Sequence, residues 1–197
     1  MIQCIIFDLS EVLIAGLVGV EKELSRELSV PENEILPSFA IDSRDELFLG
    51  NVSEDTYLRQ VIASGGWGIG LERLKAVIRQ NFHNEVEGSL PILTQLASRY
   101  ELVLLSDHAR EWIAYIRSVH PFLRVFKRTF FSYDLKVMKS DPGAFLKVLD
   151  ALSIPPANCL FIDDNPGNVD VAESVGIAGI RFVDAGQLAA ELRRRRV

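Results

Sequence analysis

The sequence predicts an α/β protein in which a parallel, doubly wound sheet carries a block of helices inserted after its first strand. Three observations predict it. An apolar run from Ile2 to Phe7 drives straight into a carboxylate, Asp8, as a strand buried on both faces does. From residue 88 onward, strand-like apolar runs alternate with amphipathic helical patterns, the signature of a parallel sheet. Between these two regions, residues 14–85 carry helical periodicity and no strand pattern.

The elements follow in order. After the first strand, Gly16 and Gly19 punctuate the exit. Helices are expected over 20–28, around Ile35 to Phe39, over 45–49 with Gly50 behind it, from Ser53 as N-cap, and over 71–82. Trp67 sits between glycines that end the fourth of these. Leu90 to Ala97 reads as a helix and Glu101 to Leu105 as a second buried strand ending at Ser106-Asp107-His108. A helix over 110–119, a short strand over 129–131 and a helix over 142–152 come next. The strand from Asn158 to Ile162 runs into Asp163-Asp164. A helix over 168–175, a strand over 178–182 and a helix over 187–196 complete the chain.

Composition narrows the function. The 197 residues are 48% hydrophobic and 24% charged, enough for one sizeable core with a small inserted unit. A net charge of −6 argues against nucleic acid as a partner, because phosphate contacts need a basic face. It leaves room for a small phosphorylated metabolite, which needs only a local positive site. The Arg193–Arg196 run is expected to be a solvated helix end, where positive charge offsets the helix dipole. No apolar run approaches the ~18 residues of a membrane span, and no basic segment leads into an apolar stretch at the N-terminus. A cytoplasmic protein with no membrane partner is the expectation. Cys4 and Cys159 lie within apolar runs and are expected buried and reduced.

Asp8, Ser106 and Asp163-Asp164 all stand at strand ends, and Lys139 stands just before a helix. In a parallel sheet those ends share one edge, where ligands bind. The fold would gather three carboxylates, a hydroxyl and an ammonium into one crevice. Carboxylates that close repel one another unless a cation joins them, and hard oxygen ligands suit Mg²⁺. A carboxylate nucleophile, a metal and positive charge for the equatorial oxygens make sense together as a phosphoryl-transfer site.

These residues resemble the motifs of the haloacid dehalogenase-like (HAD) hydrolase superfamily. They stand in order as Phe7-Asp8-Leu9-Ser10-Glu11-Val12-Leu13, Leu104-Leu105-Ser106-Asp107-His108, Lys139 ahead of Ser140-Asp141-Pro142, and Phe161-Ile162-Asp163-Asp164-Asn165-Pro166-Gly167-Asn168. The resemblance implies a Rossmann-like core from residues 1–13 and 86–197 and a helical cap from 14–85. It implies a Mg²⁺-dependent phosphatase in which Asp8 forms an aspartyl-phosphate. Asp8, the backbone carbonyl of Ser10 and Asp164 resemble the metal ligands, while Asp163 is similar to a carboxylate behind the metal that also steadies Lys139. Ser106 and Lys139 resemble the phosphate-binding pair. Asn168 matches more weakly, and Asp107 stands where Asn or Thr is common.

One position departs from the pattern. Such phosphatases usually carry a second Asp two residues after the nucleophile, as acid and base; here it is Ser10. A neutral hydroxyl is a poor acid and base, so turnover is expected to be slow. The Phe-Asp-Leu-X-X-Val pattern resembles the α-D-glucose-1-phosphate phosphatase group, which also includes members without that Asp. Glu11 is ionisable, but the next residue along a chain leaving a strand tends to point elsewhere. Two alternatives follow: a phosphate-binding regulatory protein without turnover, and a 2-haloacid dehalogenase in which Asp8 attacks carbon. Leu9-Ser10-Glu11 does not match the Phe-Asp-X-Tyr-Gly-Thr motif that the second resembles. His108 and Arg110 follow Ser106 closely, so either could face the substrate; the favoured reading is that the first turn of a helix exposes them. Arg44, Glu46, Tyr57 and Trp67 are candidates for the substrate side, and the sequence does not select among them.

Overall fold

Apolar runs of four to six residues place five strands in one sheet: β1 (Cys4–Phe7), β2 (Glu101–Ser106), β3 (Arg128–Phe131), β4 (Cys159–Asp163) and β5 (Ala178–Arg181). A computed structural model describes residues 1–197. The strand order is β3-β2-β1-β4-β5, and every neighbouring pair is parallel. β1 is central and wholly buried. The chain winds outward from β1 to β3 and then crosses to β4 and β5 on the other side. The crevice of such a sheet lies at this reversal, outside the carboxyl ends of β1 and β4.

Side chains alternate between two apolar layers. Ile5, Phe7, Leu104, Leu160 and Ile162 face one layer, and Cys4, Ile6, Val103, Leu105, Cys159 and Phe161 face the other. The second layer is closed by α9 (Pro142–Leu152) and α10 (Pro166–Ser174) through Phe145, Val148 and Ala172. The first layer is closed by α6 (Ser89–Ala97), α7 (Arg110–Val119) and α11 (Ala185–Arg195). Cys4 and Cys159 are register partners, buried and free, at the edge of the sheet opposite Asp8.

After Asp8 the chain makes one turn, in which the Leu13 amide donates to the Leu9 carbonyl at 2.9 Å. It then leaves the sheet beside the segment that returns. Ile14 and Glu85 form an antiparallel bridge, and the Val86 amide donates to the Leu13 carbonyl at 2.9 Å. Between these crossings lie α1 (Val20–Leu28), α2 (Glu32–Ser38), α3 (Ser43–Phe48), α4 (Glu54–Gly65) and α5 (Leu71–Asn81). The Ser53 hydroxyl caps α4 by accepting from the Thr56 amide at 3.2 Å. The helix ends at Gly66, whose φ of 62° is the left-handed C-cap that glycine adopts at no steric cost. The interior of this insertion is continuous with the first layer of the sheet, forming one apolar cluster of 37 buried residues.

Several helix boundaries shift by a few residues, and one helix was not expected. The apolar period places α10 from Asn168, yet the helix begins at Pro166, because Asn165 caps it and Pro suits the first helical position. A one-turn helix, α8 (Ser132–Leu135), follows β3 directly; four residues are too few to carry a period. The arginine run ends α11: Arg194 pairs with Glu191, and Arg195 donates to the Gly179 carbonyl at 2.8 Å. No helix is long and apolar enough to cross a membrane.

Tyr57 and Trp67 belong to the interior of the insertion rather than to the crevice. The Tyr57 hydroxyl donates to the Phe39 carbonyl at 2.6 Å, and Trp67 meets the Phe39 ring edge-on at 5.6 Å. Tyr57→Phe leaves that buried carbonyl without its donor. The expected loss is about 1–2 kcal/mol in urea unfolding, with an unchanged dependence on denaturant.

Candidate active site

The strand ends deliver the carboxylates. The Asp8 amide donates to the Ile162 carbonyl at 2.9 Å, which sets Asp8 at the end of β1 beside the end of β4. Asp163 is the last residue of β4, and Asp164 follows it into the crevice. Lys139 arrives from the segment ahead of α9. Its backbone amide donates to both Asp107 oxygens, at 3.2 and 3.0 Å, so the loop after β2 fixes the loop before α9. The Lys139 ammonium lies 2.7 Å from Asp8 Oδ1 and 2.7 Å from Asp163 Oδ2. It donates a hydrogen bond to Asp163 and forms an ion pair with Asp8.

Asp163 is fully engaged. Besides Lys139 it accepts from the Asn165 amide at 2.8 Å and from Asn168 Nδ2 at 3.1 and 3.2 Å. Asp8 and Asp164 keep free oxygens. Asp8, Asp163 and Asp164 each place one ligand atom within 4.8 Å of the others. Burial pushes the Asp8 carboxyl up to about 7, against the pull of Lys139 and with Asp163 adding to the rise. Burial acts against the Lys139 ammonium, but Asp8, Asp163 and Asp107 outweigh it and hold the group above the ordinary lysine range. Asp164 is raised by burial and then by Asp163; Asp107 is raised by burial against the pull of Lys139. Four carboxylates thus surround one ammonium, and the cluster is short of positive charge. A hard divalent cation fits this donor set. The Ser106 hydroxyl, buried at the end of β2, has no hydrogen-bond partner in the protein, which is the condition of a group that meets a ligand.

The crevice has two compartments. A polar cavity of about 360 Å³ is lined by Asp8, Ser10, Asp107, Lys139, Asp164 and Asn168, among others. A second, of about 230 Å³, shares Ser10, Glu11, Arg44, Phe48 and Asp107 with it and is closed by Phe82, His108 and Trp112. Of the insertion residues singled out in the sequence, Arg44 alone lines these cavities; Glu46 instead accepts from Asn51 Nδ2 at 2.9 Å.

Ser10 and Glu11 turn toward the insertion. Glu11 has a φ of 60°, and its Oε1 accepts from the Gly16 amide at 2.8 Å and the Val18 amide at 3.3 Å. A side chain at Gly16 would meet Ser10 Cβ and Glu11 Oε1 at 2.9 Å, so glycine is required where this loop crosses the nucleophile strand's exit. Arg110 points away from the crevice, stacked over the Tyr133 ring at 4.4 Å and paired with Asp134 at 3.3 Å.

His108 overturns the reading of an exposed helical turn. It is 3% exposed, among the rings of Phe48, Phe82 and Trp112. Its amide donates to Ser132 Oγ at 3.1 Å, and that hydroxyl donates to the Phe48 carbonyl at 2.6 Å, tying core to insertion. Burial pushes the His108 imidazole down to about 3. Periodicity placed Phe82 on an apolar helix face and gave no sign that it meets a residue 26 positions on. Asp107 was legible only as a departure from Asn or Thr; its partner is a backbone amide 32 residues away, which no spacing announces.

Residues 2–176 match the family described as haloacid dehalogenase-like hydrolase, and the chain belongs to that family. It is similar to the flavin mononucleotide hydrolase 1 of Arabidopsis thaliana chloroplasts, with 29% identity over 144 residues, 73% of this chain. The match spans 58% of that relative's length. A HAD family enzyme from Bacteroides thetaiotaomicron, solved with magnesium and inorganic phosphate, shares the fold at a TM-score of 0.76 and 19% identity, covering 95% of this chain and 99% of that one. The L-2-haloacid dehalogenase from Xanthobacter autotrophicus shares it at a TM-score of 0.72 and 17% identity, covering 98% and 83%.

Two outcomes follow from the geometry. Lys139→Met leaves Asp8 and Asp163 buried without their counter-ion, and the expected loss is about 3–5 kcal/mol in urea unfolding with EDTA present. His108 stays neutral in the folded chain down to about 3, whereas the unfolded residue takes up its proton near the ordinary 6.5. The unfolded state then binds more protons in that window, so stability falls as pH drops through it. In His108→Gln, unfolding midpoints measured from pH 7 to 4 should lose a slope on the order of 1 kcal/mol per pH unit.

Proposed function

We propose that this HAD-like hydrolase is a Mg²⁺-dependent phosphomonoesterase that hydrolyses a small phosphorylated metabolite through an aspartyl-phosphate on Asp8. The observation that carries this reading is the buried Lys139 held between Asp8 and Asp163, with Asp164 and the unpartnered Ser106 hydroxyl beside it. Residues 14–85 act as the cap over a core of 1–13 and 86–197. The flavin mononucleotide hydrolase relative supports a phosphate ester as substrate.

In this reading a free oxygen of Asp8 attacks phosphorus, and the bond from phosphorus to the ester oxygen breaks in line. Lys139 and Ser106 donate to the non-bridging oxygens as charge moves onto the leaving oxygen. Water then attacks the aspartyl-phosphate and releases inorganic phosphate, restoring the Asp8 carboxylate. Asp8, Asp164 and the Ser10 carbonyl would hold Mg²⁺, with Asp163 behind them. A bound Mg²⁺ supplies the positive charge that the carboxylates and the phosphoryl oxygens together require. Lys139 stays protonated among its carboxylates and acts as a fixed charge, not as an acid. Asp107 positions it by holding its backbone amide.

Ser10 supplies no proton, and Glu11 is committed to the Gly16 and Val18 amides. The leaving alkoxide takes its proton from water, which makes turnover slow. The Phe7-Asp8-Leu9 pattern and its likeness to the α-D-glucose-1-phosphate phosphatase group support turnover without the second Asp. Ser10 also favours a second reading, a phosphate-binding regulatory protein that does not turn over.

Phosphate release from a panel of metabolites that includes flavin mononucleotide separates the readings. Release with Mg²⁺, abolished by EDTA and by Asp8→Asn, is expected. Ser10→Asp should raise kcat by about 10²–10⁴. Binding of inorganic phosphate and Mg²⁺ without any release would favour the regulatory reading. Halide release from 2-chloropropionate in EDTA would replace both with dehalogenation.

A further inference from the structure

The second compartment is built differently from the first. Its far wall is three rings and an imidazole: Phe82 is tilted against Trp112 at 5.6 Å, while Phe48 at 6.1 Å and 74° and His108 at 5.6 Å and 84° meet Trp112 edge to face. We propose that, within the phosphatase reading above, the substrate's leaving group carries a flat aromatic system of one or two rings that seats among Phe48, Phe82, Trp112 and His108.

Four observations converge on this. The compartment is continuous with the phosphate end through Ser10, Arg44 and Asp107, so a group seated there is joined to phosphorus by a short link. Aromatic faces and edges favour a partner with its own quadrupole over a saturated ring of equal size. The wall is fixed in advance. Trp112 Nε1 donates to Glu54 Oε1 at 2.9 Å, and Arg79 donates to Glu54 Oε2 at 2.8 Å. Glu54 is 2% exposed, and its own amide donates to Glu111 Oε1 at 3.3 Å. A buried ionic network therefore sets the indole plane before any ligand arrives, which removes part of the ordering cost of binding. Finally, His108 Nδ1 is buried and makes no hydrogen bond within the protein. A buried polar atom without a partner, in a residue that lines a cavity, is a usual mark of a ligand contact, here a ring heteroatom or ring substituent.

Size sets the limit on ring number. A dry cavity of about 150 Å³ holds benzene. The compartment here is about 230 Å³, which suits one or two fused rings.

The test uses arylmethyl and cycloalkylmethyl esters of similar size, and the wall variants separate the effect of the rings from that of the leaving group's basicity. Benzyl phosphate and 2-naphthylmethyl phosphate are compared with cyclohexylmethyl phosphate on the whole protein with Mg²⁺. The expected kcat/KM advantage of the aromatic esters is about tenfold or more, falling below about threefold in Phe82→Leu and in Trp112→Leu. Glu54→Gln, which keeps the indole hydrogen bond but drops the charge that Arg79 meets, should raise KM for benzyl phosphate more than it lowers kcat. Equal kcat/KM for benzyl and cyclohexylmethyl esters would overturn the inference while leaving the phosphatase reading intact. Flavin mononucleotide turning over as well as the arylmethyl esters would overturn the size limit. If no ester releases phosphate, the phosphatase reading fails by itself. Calorimetry of benzylphosphonate against cyclohexylmethylphosphonate then decides this proposal: preference for the benzyl compound sustains it, and equal affinity ends it.

Discussion

The ammonium of Lys139 is the interaction on which the crevice depends. It lies buried between two carboxylates from adjacent strands, and neither strand end could carry its charge into that space alone. Taking ions out of water costs several kcal/mol each, and the cost is offset only where geometry is close and remaining lone pairs are met. Asp163 meets that condition, with Asn165 and Asn168 completing it. Asp8 does not. It keeps an oxygen free at the mouth of the polar cavity, and burial raises its carboxyl toward neutrality. The asymmetry assigns the two aspartates different work in the proposed reaction: one holds the lysine, the other reacts.

The surrounding fold serves that arrangement. β1 and β4 are adjacent and parallel because the winding reverses between them, so their two terminal aspartates face one another. Asp107 ties the loop after β2 to the loop before α9, which delivers the lysine. Asp8, Asp163 and Asp164 lie close enough to repel one another, and a hard cation would fit the set. The fit for a cation is therefore a property of the residues themselves.

Much of this was legible in the sequence. An apolar run ending in a carboxylate marks both the strand and its polar end, so Asp8, Ser106, Asp163 and Asp164 could be read together with the sheet. Lys139 alone has no local signature, since a lysine ahead of a helix is most often a surface residue; it became legible only jointly with the polar strand ends. The helical insertion followed from periodicity, and Ser53 from capping chemistry. What stayed hidden was every contact that joins distant segments. His108 looked like a surface residue because polar Asp107 and Arg110 flank it closely in sequence; the rings that enclose it come from α3, the residue after α5, and α7. Glu54 looked like an acidic first-turn residue, and its indole partner is 58 positions away.

The paired crossing at Ile14 and Glu85 has a consequence for how such a chain can change over time. Because the outgoing and returning segments touch, the sheet registers only the stem and not the length of what hangs from it. Helices there can be lengthened or replaced with no shift in any strand. The freedom stops at the shared apolar cluster, where Phe48 and Phe82 from the insertion meet Trp112 from the core. Drift in the insertion is therefore channelled to its outer helices, while a change at this seam alters the packing of core and insertion together.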